Sequence, residues 1–141
     1  MYLGIGRQAD ASLLRGLGEY FSCMAMVEEV DPRAPDPGKL QRCAVHLEAA
    51  RGYLRTSAEF GRRMLEMIPR VSSALAPLVR PRLEAAIENE TSLERGLTVI
   101  SQQLNSGRYP IMADCVEMNR VLGEIVSTFK INAQTHRSEG F

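Results

Sequence analysis

The chain has 141 residues, 45% of them apolar and 24% charged, and its formal net charge is zero. That balance excludes a disordered polyampholyte and a broad basic surface for nucleic acid, and the length suits one domain with its own core. Three cysteines, Cys23, Cys43 and Cys115, are an odd number with no C-x-x-C pair, so reduced thiols are expected rather than a disulfide framework.

Residues 1–8 contain two glycines and read as a short arm, with Tyr2, Leu3 and Ile5 packing loosely. No apolar run approaches the roughly 20 residues of a membrane span. The start also lacks a basic stretch followed by an apolar one, so neither a membrane association nor a secretory signal is expected, and the location is read as cytoplasmic.

A first helix is predicted over 9–30, capped by Asp10 or Ser12, with Leu13, Leu17, Tyr20, Met24 and Val27 recurring at steps of four and three. The segment Asp31 to Gly38, D-P-R-A-P-D-P-G, is the clearest turn, because proline removes a donor and disfavours helix in the residue before it. Asp36 then caps a second helix over 37–68, with Pro37 in its first turn. Its stripe is Leu40, Ala44, Leu47, Leu54, Ala58, Leu65 and Ile68.

Pro69, Pro77 and Pro81 punctuate a connection read over 69–80. A third helix over 81–104 carries Leu83, Ala86, Leu93, Leu97, Ile100 and Leu104, and N-S-G-R-Y-P at 105–110 stops it. The fourth helix, 111–133, carries Ile111, Cys115, Met118, Leu122, Ile125 and Phe129, and 134–141 reads as a frayed tail. A repeat averaging 3.5 residues keeps one stripe on one side of each helix. The expected fold is all-α: an antiparallel up-down-up-down four-helix bundle with a proline-rich connection between helices two and three.

Continuing the repeat places Arg51, Gly61 and Glu90 on core stripes. A buried charge needs a partner or a route to the rim, and Arg62 is the basic residue the register sets near Glu90. Helix two also has a second stripe: Ala50, Tyr53, Ser57, Phe60, Met64, Met67. Two stripes make it apolar over more than half its circumference. Tyr53, Phe60, Met64 and Met67 are therefore candidates for binding a protein partner or a second copy of the chain, because aromatic residues and methionine suit interface cores.

Arg62, Arg63, Arg70, Arg80 and Arg82 gather near the second connection and are candidates for holding an anion. Cys23, Cys43, His46 and Cys115 fall at one level of the expected bundle and are candidate metal ligands. No Glu-x-x-His pair, nucleophile elbow or phosphate-cradling glycine loop occurs, so no catalytic residue and no cofactor are assigned. The expected function is a non-enzymatic protein–protein interaction module, an adaptor, regulator or export-type chaperone acting through helix two. The alternatives are a metal- or ligand-binding bundle, and an enzyme with carboxylate chemistry centred on Glu90.

Overall fold

The computed structural model describes residues 2–71, 74 and 76–138, in which the four stripes form four α-helices and no strand. They are α1 (Tyr2–Glu28), α2 (Pro37–Val71), α3 (Ala76–Asn105) and α4 (Met112–Ser138). α2 begins where its cap demands. Asp36 Oδ1 accepts the backbone N–H groups of Gly38 at 3.0 Å and Lys39 at 3.3 Å, two donors that the first helical turn leaves unpaired. α3 ends at a left-handed glycine, Gly107 with φ 71°, whose N–H bonds the Leu104 carbonyl at 3.0 Å while Arg108 N–H bonds that of Gln103. Gln103 braces the following turn, since its Oε1 accepts Ile111 N–H and its Nε2 donates to Asp114 in the first turn of α4.

Four helix boundaries differ from those expected by three residues or more. α1 starts at Tyr2 rather than at residue 9, so the arm is helix. Tyr2 is buried and Ile5 packs beside it in a cluster with Met64, Ile68, Val79 and Leu83. Each buried large side chain gains about 1.5–3 kcal/mol, whereas each helical glycine costs about 1 kcal/mol, so burial overrides Gly4 and Gly6. The expected connection over 69–80 contracts for the same reason: Pro69 lies in the last turn of α2, and α3 already contains Pro77 and Pro81. Ile68, Val79 and Leu83 pull both ends into helix by joining that cluster. α4 continues to Ser138 through much of the expected tail, of which 139–141 lie outside the described residues, as does the Phe129 side chain. Ile111, expected on the fourth stripe, precedes α4 and is exposed.

α1 packs on α2, α2 on α3 and α3 on α4, while α1 and α4 bring no backbone together among the described residues. Contacts along each pair run in opposite senses of the sequence: Gly6 beside Met64 and Gly16 beside Ala50; Gly61 beside Ile87 and Arg51 beside Glu94. Most of the expected stripe residues are buried in a larger cluster that includes Leu17, Tyr20, Leu47, Leu54, Leu97, Ile100 and Leu122.

Each packed pair has a glycine at a close approach. A Cβ at Gly16 would lie 3.2 Å from Tyr53 Cβ and 3.3 Å from the Ala50 carbonyl, and one at Gly61 would lie 2.9 Å from Ile87. At Gly96 it would fall inside the Met118 side chain. Gly52, in contrast, faces open space. Gly16→Leu therefore overpacks the α1/α2 contact and lowers stability by about 1–3 kcal/mol, while Gly52→Ala raises it by roughly 0.5–1 kcal/mol; urea denaturation of the two variants measures both.

Candidate functional site

Between the two apolar clusters lies a polar pair. Ser57, from the second stripe of α2, donates through Oγ to Glu90 Oε1 of α3 at 2.5 Å, and both residues are buried. Burial raises the Glu90 carboxyl to about 7; the nearby Asp10 charge adds to that rise, while the Ser57 bond and the Arg62 charge oppose it. Asp10 is itself raised by burial. The periodicity thus placed Glu90 correctly in the interior, but its direct partner is Ser57, and Arg62 acts only through its field.

Arg51 leaves the core for the α2/α3 rim. Its Nη1 donates to both oxygens of Glu48, at 2.8 and 3.0 Å, and its Nε donates to Glu94 Oε1 at 3.3 Å, an oxygen shared with Arg55 at 2.8 Å. Ser101, fully buried, closes the ladder by donating to Glu48 Oε1 at 2.5 Å, and that bond is the main reason the Glu48 carboxyl lies below its ordinary range. Four charges and a hydroxyl satisfy one another here.

Cys23, Cys43 and Cys115 are buried free thiols, and burial raises each of them, Cys23 to about 12. His46 does not join them. Its Nδ1 lies 2.7 Å from Glu19 Oε2 at the α1/α2 rim, and among the described residues no group of three or more His, Cys, Asp or Glu side chains is placed to hold a metal ion. The level at which the register sets these four residues is a layer of small apolar packing groups with the His46–Glu19 hydrogen bond at its edge. Tyr20 completes it, donating its hydroxyl to Asn119 Oδ1 of α4 at 2.7 Å.

The second stripe of α2 is largely covered. Ala50, Ser57 and Met64 are buried, and Tyr53, Phe60 and Met67 are half-buried. The cover is the N-terminal half of α1, where Gly6 lies against Met64 and Gly16 against Tyr53. A face expected to meet a partner is met mainly by the chain's own first helix, which the sequence reading had started seven residues too late. Of the expected anion-binding arginines, Arg63 lies 5.3 Å over the Phe60 ring, Arg70 stands in the last turn of α2 where a cation offsets the helix dipole, and Arg62 acts on Glu90. Arg80 and Arg82 are half-buried on the first turns of α3.

The exposed apolar side chains stand elsewhere. Leu3, Leu14 and Phe21 lie on α1, and Ile111, Met112 and Val116 lie in and just before α4; Phe21 is 54% exposed and Met112 66%. Phe21 follows Tyr20 and meets its ring edge-on at 5.8 Å, so this apolar surface borders the seam that Tyr20 and Asn119 bridge. Sequence reasoning passed over Leu14, Phe21, Met112 and Val116 and read Leu3 and Ile111 as packed, although Leu14, Gly18, Phe21 and Ala25 repeat at the same steps as the core stripes.

No family model matches the chain, and neither a curated protein nor a solved structure matches it. Among the described residues no helix is long and apolar enough to cross a membrane.

Folding shifts Glu90 upward from its ordinary value of 4.5, so the folded chain favours its protonated form. That contribution is complete below about pH 4.5 and is lost as the pH rises through about 7. Glu90→Gln keeps the acceptor for Ser57 without the charge. It gains on the parent chain by roughly 1–3 kcal/mol at pH 8 and by little at pH 5, measured by urea denaturation at both values; an equal difference at the two pH values would contradict the assignment.

Proposed function

We propose that this chain is a non-enzymatic protein–protein interaction module, an adaptor, regulator or export-type chaperone, that works as a single up-down-up-down bundle. The opposed register of the contacts between successive helices supports that topology, and the prolines stand at the α2–α3 end. Three free cysteines support a reducing compartment such as the cytoplasm.

One observation carries the interaction reading: most of the large apolar side chains exposed among the described residues lie on α1 or in and just before α4, Leu3, Leu14 and Phe21 on the first and Ile111, Met112 and Val116 on the second, and Phe21 adjoins the Tyr20 that bridges to Asn119. Apolar side chains gathered on one surface mark a place where another molecule excludes water, whereas scattered ones need no explanation. The half-buried edge of Tyr53, Phe60 and Met67 forms a second, smaller apolar margin on the other flank of α1. The buried polar groups support structure rather than chemistry, since Ser57 with Glu90 and Ser101 with Glu48 are each mutually satisfied.

Photo-crosslinking in the cells that make the protein tests this reading. A photoreactive residue at Val116 is expected to capture a discrete protein, and one at Val45, an exposed valine of α2, is expected to capture none. Equal capture at both positions, or capture at neither, would contradict it.

A further inference from the structure

The outward side of α1 carries a second periodic stripe that its own bundle does not use. Leu3, Arg7, Asp10, Leu14, Gly18, Phe21, Ala25 and Glu28 follow one another at steps of three and four, and all are exposed at the surface, although the Asp10 carboxyl is partly shielded from water near Glu90. On a helix advancing 100° per residue, these positions hold one line along nearly its whole length. From Leu14 to Ala25 the line carries no charge; Arg7 and the partly shielded Asp10 stand toward the N-terminus, and Glu28 stands in the last turn.

Glu28, an anion in the last turn of α1, stands at the negative end of the macrodipole at a cost of roughly a few tenths of a kcal/mol, whereas Arg7 lies beyond the first turn, where the dipole acts little. Neither Arg7 nor Glu28 makes an ion pair among the described residues. Gly18 stands open on this line, since a Cβ there would meet nothing within 4 Å, as at Gly4, Gly52 and Gly123, and its bare backbone leaves room for another helix to approach.

We propose that the occupant of this stripe is a second copy of the chain, with the two α1 helices antiparallel about a two-fold axis close to Gly18. In that register Arg7 of each copy lies beside Glu28 of the other, Leu14 beside Phe21, and Asp10 beside Ala25. Gly18 stands nearest the axis, where the helices approach most closely. A parallel pairing would instead set Arg7 on Arg7 and Glu28 on Glu28, so the charge pattern selects the antiparallel one. Antiparallel packing also brings each helix's positive end beside the other's negative end. The apolar centre supplies the affinity and the end charges the register, since exposed ion pairs contribute little energy but discriminate between alignments. The pairing deepens the interaction reading by naming what covers the α1 side of the exposed surface, and it leaves the α4 side free.

Sedimentation equilibrium of the full chain over a concentration series tests it. The parent chain of 15.7 kDa is expected to form a dimer. Phe21→Asp and Leu14→Asp are expected to give monomers of unchanged helix content, because both side chains are exposed. Arg7→Glu and Glu28→Arg, which touch no packed group, are each expected to weaken association about tenfold at low salt, and the double exchange to restore it, with the differences shrinking in ~0.5 M salt. A monomer at every concentration would overturn the pairing, as would a dimer indifferent to both aspartate variants or to both single charge exchanges. A monomer that still yields a discrete crosslink at Val116 would overturn the pairing alone and leave the interaction reading standing.

Discussion

The breadth of the apolar surface on α2 is the constraint from which the rest of this structure follows. A helix on the outside of a bundle needs to bury only about a 100° stripe, but α2 has two stripes and must be covered on two sides. α3 takes the side of Arg51, Arg55 and Ser57, and α1 takes the side of Ala50, Tyr53 and Met64. Covering the far end of α2 draws Tyr2 and Ile5 into the second cluster, which makes helix of a glycine-containing start. Once α1 is committed to α2 along its length, its opposite side is left in water, and that side carries Leu14 and Phe21. The surface with functional promise is thus a consequence of how α2 is buried.

The interior is not uniformly apolar. Ser57 and Glu90 stand between two apolar clusters, and a carboxyl raised to about 7 is a group that the interior holds more easily protonated than charged. Such a layer costs stability relative to two apolar residues of the same shape, but it restricts which helix positions pair, because sliding either helix by a turn would leave a buried carboxyl without its donor. The Glu48, Arg51, Glu94, Arg55 and Ser101 ladder acts similarly at the rim of the same helix pair. The α2/α3 register is thereby fixed by directional bonds, and the α1/α2 register by the fit of glycines against Tyr53 and Met64.

Much of the frame was legible in the sequence. The steps of three and four located all four helices, Asp36 and Gly107 marked a start and a stop, and Glu90 fell on a core stripe as a charge that had to find a partner or reach the rim. What was missed has a common physical origin. Helix ends at Tyr2, Val71 and Ala76 are set by tertiary burial of Tyr2, Ile68 and Val79, which local propensity does not contain. The partner of Glu90 was sought among cations, although a hydroxyl on the neighbouring stripe stood closer. The grouping of Cys23, Cys43, His46 and Cys115 rested on level alone, and level does not say which way a side chain points: His46 turns to Glu19. The second stripe of α2 could pack on the chain's own helices or meet a partner, and its pattern alone did not decide, because only the extra turns of α1 before residue 9 bring Gly6 against Met64.

Amide hydrogen exchange along α1 tests the central claim, that the first helix runs from its start and buries the second stripe of α2. The account predicts protection of residues 6–12 comparable to that of residues 57–67, since the two segments cover one another. Exchange of 6–12 at the rate of an unstructured chain, with residues 57–67 still protected, would mean a loose arm and an open α2 face, and would return Tyr53, Phe60, Met64 and Met67 to the surface.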